Sequence, residues 1–195
     1  MNMLPNYIKG KRVLLQRSLP SHASAIWQYV KDNQGFFMKW QNSCWKNEKE
    51  MFDYFTELNV DKDSKDFYYT VFLGDRIIGT VNCWDVSTWR MACQLGYEIN
   101  PEYAGHGYMT ETIKLLVTEL ISAGFVRIKI ECATENIASM KLAEKAGFIC
   151  EGIMKKDVFI KSVNRFCDTA VFAIVDEANA TKLEKKQVKY SVKYS

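Results

Sequence analysis

The sequence predicts a mixed α/β (α+β) fold, with a mostly antiparallel central sheet of about seven strands and helices on its faces. Three observations predict it. Residues 67 to 99 read as consecutive strands joined by hairpin signals. From Met109 the apolar period switches abruptly to that of a helix. From Val126 to Cys132 it switches back to strict alternation.

Taken in order, residues 1–10 read as a lead-in ending at Gly10. Val13, Leu15 and Arg17 alternate with their neighbours as a first strand, stopped by Pro20. Ser21 is placed to cap a helix carrying Ala25, Ile26, Tyr29 and Val30, which Gly35 ends. The segment from Phe36 to Trp45 is aromatic without a regular period. Met51, Tyr54, Phe55 and Leu58 then mark a second helix over 48–58. Aromatic and β-branched residues from Phe67 to Leu73 favour a strand. Gly74-Asp75 is a hairpin turn, 76–84 the partner strand, and 91–99 a further one closed by Pro101. Ile113, Leu116, Val117, Leu120 and Ile121 line one face of the next helix, with Gly124 as its stop. After the alternating strand from Val126, Asn136 stands where a cap is wanted, and Gly147 ends the helix over 137–146. Two strands, near 148–154 and 159–174, complete a domain over 11–176. The lysine-rich stretch 177–195 reads as a mobile tail.

The composition excludes several classes. With 195 residues and 48% of them hydrophobic, the chain can bury a core and is not of the disordered kind. A net charge of +3 without a clustered basic stripe gives no sign of a nucleic-acid or membrane-surface partner. The six cysteines, at 44, 83, 93, 132, 150 and 167, form no CxxC pair and have no histidine beside them. They predict no metal site and read as small buried residues kept reduced in a cytoplasm. No signal-peptide pattern stands at the amino terminus, and no apolar run approaches the roughly 18 residues that span a bilayer.

The chemistry is carried by Glu98 to Glu111, which joins a strand end, a short loop with two glycines and the start of a strong helix. Gly105 and Gly107 remove side chains that would hold a ligand away from the backbone. The amides of His106, Gly107, Tyr108, Met109 and Thr110 lie at a helix start, where unpaired donors and the helix dipole favour an anion such as a pyrophosphate. No basic side chain is needed for that grip. The loop is not a Walker loop, because no Gly-Lys-Ser/Thr follows. It lacks the third glycine of a dinucleotide-binding fingerprint.

With these residues in view, the sequence resembles the GNAT acetyltransferase superfamily, in its RimJ/RimL-type branch of ribosomal-protein amino-terminal acetyltransferases. The likeness runs from about Lys11 to Ile174. It is carried by Arg12-Val13-Leu14-Leu15-Gln16-Arg17, Ile78-Gly79-Thr80-Val81, Leu95 to Tyr103, Gly105 to Glu111, Glu135-Asn136-Ile137-Ala138-Ser139 and Lys145-Ala146-Gly147-Phe148. The family's loop pattern is Gln/Arg-x-x-Gly-x-Gly/Ala. Here Ala104 replaces its first residue and Met109 its last, while Gly107 keeps the middle glycine. Backbone donors do not depend on the two replaced side chains.

The resemblance implies a splayed strand pair, one strand ending at Ile99 and the other starting near Val126, that holds acetyl-coenzyme A. Its pantetheine arm would pair with the backbone near Tyr97 and Ile99 and touch Asn136. The reaction implied is acetyl transfer to a primary amine. Glu98 is the first candidate for the base, with Asp157 and Asp168 behind it. Gln94 stands where many relatives carry a glutamate. Ala143 occupies the place of the tyrosine that many relatives use as acid, which leaves Ser139 as the replacement and Tyr108 and Tyr103 as alternatives. Phe37, Trp40 and Trp84 are candidate walls for the acceptor, beside Phe36, Trp45 and Trp89. The expected acceptor is a protein amino terminus; a small amine and a non-catalytic acyl-coenzyme A binding module are the alternatives. The expected assembly is a monomer or homodimer.

Overall fold

The computed structural model describes residues 4–40, 45–61 and 66–191, with side chains described through 185. Within these residues eight strands form one sheet: β1 (Tyr7–Lys9), β2 (Val13–Arg17), β3 (Phe67–Leu73), β4 (Arg76–Ser87), β5 (Ala92–Ile99), β6 (Arg127–Ala133), β7 (Ile149–Ile160) and β8 (Arg165–Val175). Among the described residues six helices accompany them: α1 (Ala23–Asp32), α2 (Gln34–Phe37), α3 (Glu48–Val60), α4 (Tyr108–Ser122), α5 (Ile137–Ala146) and α6 (Glu177–Ser191). The spatial order is β1-β2-β3-β4-β5-β6-β8-β7, and only β5 and β6 run parallel. The mixed, mostly antiparallel sheet is the one the hairpin signals predict.

Several elements differ from the sequence reading for identifiable reasons. The lead-in contributes β1, which pairs with β2 from Tyr7–Gln16 to Lys9–Leu14. Ser21 does not cap α1: Pro20–His22 form a 3-10 turn that runs straight into the helix, and no side chain caps it. Gly35 lies inside α2; the break falls instead at Asn33, whose amide bonds Val30 O. β4 continues past Trp84 after an irregularity at Asp85, where φ is 51° and an aspartate is tolerated. The two closing strands meet at a turn over Lys161–Val163, later than expected, because Asn164 takes the left-handed conformation at φ 48°. Residues 177–191, read as a mobile tail, form α6. Asp176 Oδ1 accepts from Asn179 N at 2.7 Å, and no glycine or proline interrupts the helix.

Two apolar clusters sandwich the sheet. On one face α4 sets Met109, Ile113, Leu116 and Leu120 against Val81, Cys83, Cys93 and Leu95, all buried. On the other, α1 and α3 pack Ile26, Val30, Met51 and Phe55 together with Phe37. Cys83, Cys93 and Cys167 are buried free thiols, whereas Cys132 is partly buried and Cys150 exposed; Cys44 lies outside the described residues. Among the described residues no cluster of His, Cys, Asp and Glu is arranged for a metal, and no helix is long and apolar enough to cross a membrane.

Candidate active site

The site begins where two strands part. β5 and β6 pair in parallel from Ala92–Arg127 to Leu95–Ile130 and no further, although β5 continues to Ile99. Beyond Leu95, β5 stays paired with β4 through Asn82–Gly96, Val81–Tyr97, Thr80–Glu98 and Gly79–Ile99. β6 stays paired with β8 as far as Ala133–Thr169. A gap therefore opens between them. Asn100 N donates to Ile78 O at 2.8 Å, and backbone groups alternate sides along a strand. Those of Gly96 and Glu98 thus face β4, and those of Tyr97 and Ile99 face the gap. A free strand edge is a template for an extended, hydrogen-bonding ligand.

The loop beyond β5 delivers the chain to α4. Asn100 Oδ1 accepts from Glu102 N, and Pro101–Tyr103 make one 3-10 turn. Gly105 and Gly107 adopt φ of 82° and 78°, left-handed values at which a side chain is strained. Gly107 is the N-cap of α4, and the first helical bond runs from Glu111 N to Gly107 O at 3.0 Å. The amides of Tyr108, Met109 and Thr110 precede it and have no partner within the helix. They face the same end of the gap as the helix dipole, a natural seat for a diphosphate.

A residue without an assigned role in the sequence holds this loop. Arg12, before β2, donates from Nη1 to His106 O at 3.0 Å and from Nη2 to Gly107 O at 3.3 Å. Its Nε donates to Glu111 Oε2 at 2.7 Å, its backbone amide to Glu111 Oε1 at 2.8 Å, and its guanidinium lies over the Tyr108 ring. Fixing the carbonyls of 106 and 107 from behind turns the amides outward. Partial burial opposes ionisation of Glu111, but the bonds from Arg12 and Val13 outweigh it and hold the carboxyl below its usual range.

A cavity of about 770 Å³ runs from this loop through the gap to the aromatic segment on the opposite face. Of the site residues named from sequence, Phe37, Trp40, Trp84, Tyr97, Glu98, Ile99, Gly105, Gly107, Tyr108, Met109, Thr110, Asn136 and Ser139 line it. His106 does not; its ring stacks on Tyr108 at 5.8 Å. Asn136 is the N-cap of α5, its Oδ1 accepting from Ser139 N at 3.2 Å, which leaves its amide NH₂ as the group able to serve a ligand. The cavity also takes in Gln94, which the sequence reading set aside as a base because an amide cannot titrate, and Glu131, Cys132, Lys141, Leu142 and Lys145, to which it gave no role in the site. Ala138, Lys141, Leu142 and Lys145 fall at helical spacing along α5, so that stripe was open to reading. Two lysines therefore border a site expected to hold its anion with amides alone.

Tyr97 and Glu98, adjacent on β5, point to opposite faces of the sheet. Tyr97 Oη lies 2.7 Å from Ser139 Oγ on α5. Glu98 faces α1, where Tyr29 Oη donates to its Oε1 at 3.3 Å and Thr80 is a second hydrogen-bond partner. Burial pushes the Glu98 carboxyl up to about 7, against the pull of those two hydroxyls. Burial, and next the charge of Glu98, raises the neighbouring Tyr68 phenol as well. Asp168 is held elsewhere, bonded by Lys155 Nζ and Lys156 N, and neither it nor Asp157 lines the cavity. Gln94 Nε2 donates to Glu131 Oε2 at 3.2 Å across the start of the gap, and Lys129 pairs with the same carboxylate.

A parting parallel strand pair that leads into a glycine-flanked helix start defines an α/β protein with a cleft whose shape and amides suit an extended, anionic ligand. The family described as "Acetyltransferase (GNAT) domain" matches residues 12–149, and the chain belongs to that family. It is 34% identical over 123 residues to the probable N-acetyltransferase YjcK of Bacillus subtilis (strain 168), covering 60% of this chain and 65% of that protein. It spans between 52% and 65% of the length of the first curated relatives it matches. Among solved structures, it superposes with a TM-score of 0.80 on RimL, a ribosomal L7/L12 α-N-protein acetyltransferase in complex with coenzyme A. That match has 21% identity and covers 88% of this chain and 99% of that one. With MccE, a microcin C7 self-immunity acetyltransferase in complex with acetyl-CoA and AMP, the TM-score is 0.79 at 20% identity, covering 90% and 99%. These two likenesses establish a shared fold.

Proposed function

We propose that this protein transfers the acetyl group of acetyl-coenzyme A to a primary amine, by direct attack within a ternary complex. The observation that carries the reading is the free edge of β5 at Tyr97 and Ile99, continuous with the outward amides of Tyr108, Met109 and Thr110. A pantetheine arm suits the first and a diphosphate the second. Asn136 and Ser139 stand on the opposite wall. RimL and MccE, which share the fold, were solved with coenzyme A and acetyl-CoA.

The acceptor we assign is the α-amino group of a protein amino terminus, entering past Phe37, Trp40 and Trp84. An α-amine has a reference pKa of about 7.7–8.0, and a carboxylate that titrates at about 7 is matched to it as base. A lysine side chain, near 10.4, would demand a stronger base. Among the described residues only two acidic ones, Glu98 and Glu131, border the cavity, and Glu131 is already paired with Lys129. That is too little negative charge for a polyamine. On this reading a backbone amide near Tyr97 polarises the thioester carbonyl.

Mass spectrometry of a panel of peptides and small amines after incubation with acetyl-coenzyme A tests the assignment. A gain of one acetyl group on peptide amino termini is the expected result. Acetylation confined to small amines would replace the acceptor and keep the chemistry. Binding of coenzyme A without release of free thiol for any acceptor would leave a non-catalytic module.

A further inference from the structure

We propose that the hydroxyl of Tyr97, held in place by Ser139, is the acid that protonates the departing thiolate. The inference rests on the acetyl-transfer reading above and assigns a step which that reading leaves open. Tyr97 lies two residues beyond Leu95, where β5 and β6 cease to pair, and its Oη reaches Ser139 Oγ on the first turn of α5. The phenol thus spans the gap from one wall to the other, and both residues border the cavity. One helical turn further along α5 stands Ala143, which is buried and has no proton to give.

Chemistry distinguishes the two hydroxyls. A phenol has a reference pKa of about 10, close to the roughly 8.5 of an alkyl thiol, whereas an aliphatic hydroxyl is a far weaker acid. Burial raises the Tyr97 phenol, against the opposing bond to Ser139, so its proton stays in place until a thiolate forms beside it. The same burial raises the basicity of a sulfur losing its acyl group there, which keeps donor and acceptor matched. The other tyrosines of the cavity are engaged elsewhere. Tyr108 lies beneath Arg12, and Tyr103 Oη accepts from Arg76 Nη1 at 3.4 Å.

The step balances. The amine nitrogen bonds to the carbonyl carbon and passes a proton to Glu98. The carbon–sulfur bond breaks, its electron pair goes to sulfur, and sulfur takes the proton from Tyr97 Oη. Water returns the proton on Glu98 to the phenolate. The net products are the amide and the free thiol.

The test is steady-state kinetics with acetyl-coenzyme A and an acceptor identified by the peptide panel. Tyr97→Phe is expected to lower kcat about 100-fold with KM for acetyl-coenzyme A within about threefold. Ser139→Ala, which removes only the positioning partner, is expected to lower kcat no more than about tenfold. A more acidic fluorinated tyrosine at position 97 is expected to add a basic limb to the kcat–pH profile, which packing alone would not produce. If Tyr97→Phe misfolds by its melting curve, the other two variants decide. A Tyr97→Phe kcat equal to wild type, a larger loss in Ser139→Ala than in Tyr97→Phe, or an unchanged profile with fluorotyrosine overturns the assignment alone. A wild-type protein that binds coenzyme A and releases no thiol overturns the acetyl-transfer reading, and this step with it.

Discussion

Arg12 and Glu111 stand 99 positions apart, and their side chains meet at 2.7 Å behind the glycine loop. The same guanidinium holds the carbonyls of His106 and Gly107, so one cation keeps three oxygens turned away from the anion seat. Arg12→Ala frees the loop, and the amides must then be ordered by the ligand itself. We expect coenzyme A affinity by calorimetry to fall about tenfold, which is ~1.4 kcal/mol. The loss of thermal stability stays modest, about 1 kcal/mol, because the Arg12 side chain is 43% exposed. Glu111→Gln tests the charge separately and is expected to fall between the two proteins. An affinity unchanged in Arg12→Ala would mean that the loop is rigid without it.

Gly107 answers to a different constraint. Its φ of 78° costs an L-residue about 1–2 kcal/mol, and an added Cβ would lie 3.6 Å from Arg12 Nη2. Gly107→Ala should therefore destabilise the fold by about that amount in denaturant titration and weaken coenzyme A binding. Gly107→Trp should abolish the binding. At Gly35, which lies in α2 with no positive φ and open space around its Cβ position, alanine should cost neither stability nor affinity.

How far the sequence could be read depends on the range of the interaction concerned. The glycines at 105 and 107, the apolar stripe of α4 and the Asn136 cap are local signals, and each stands where the spacing places it. The parting of β5 and β6 was implied by likeness to a family, and no pattern within either strand encodes it. Arg12 reads as an ordinary strand-flanking cation, since nothing local links it to residue 106 or 111. Likewise the contact between Tyr97 and Ser139 crosses 42 positions. Residues 177–191 lack an apolar face strong enough to announce a helix, and the two bonds from Asn179 to Ile121 O and Phe125 O reach across more than 50 positions. The turn at 161–163 hides because a lone Asn164 supplies the left-handed residue that a glycine would have advertised.

Glu98 makes a signed prediction about pH. Its carboxyl, raised from 4.5 to about 7, is largely protonated in the folded protein at pH 6 and ionised at pH 8. As the base we propose, it works only when ionised, so kcat/KM should fall as pH drops through 7, and Glu98→Gln should remove that limb while lowering the plateau about 100-fold. Stability runs the other way. The folded state binds the proton more tightly than the unfolded chain, so the contribution is full below pH 4.5 and is lost as pH rises through 7. Glu98→Gln should thus gain stability relative to wild type at pH 8, by at most about 3 kcal/mol since the side chain is only partly buried, and gain nothing at pH 4. A rate profile in Glu98→Gln superposable on wild type would exclude the residue as base.

Asn136 caps a helix, and we propose for it a second, ligand-binding task that substitution can separate from the first. Its Oδ1 caps α5 through Ser139 N, and its NH₂ is the group we propose for the pantetheine arm. Asn136→Asp keeps a capping oxygen and removes the donor. Asn136→Ala removes both. Melting curves should show about 1 kcal/mol lost for alanine and little for aspartate, whereas calorimetry with coenzyme A should show weaker binding in both. If aspartate binds as tightly as wild type, the residue is a cap alone.

Asn179 ties the final helix to the domain that carries the site. From the first turn of α6 its Nδ2 donates to Ile121 O at 2.8 Å, in the last turn of α4, and to Phe125 O at 3.1 Å, just beyond that helix; Ile121 O accepts from Gly124 N as well. Those two bonds lie at the opposite end of α4 from the glycine loop. The helix can therefore lose them without disturbing the amides of Tyr108, Met109 and Thr110. Asn179→Ala should cost about 1–2 kcal/mol in chemical denaturation, as expected when partly buried acceptors lose their donor, and amide exchange should rise across 177–185 and at Phe125. Coenzyme A affinity should stay within twofold of wild type. A fall in affinity comparable to that of Arg12→Ala would show that the two ends of α4 are mechanically coupled, and that α6 supports the site from a distance.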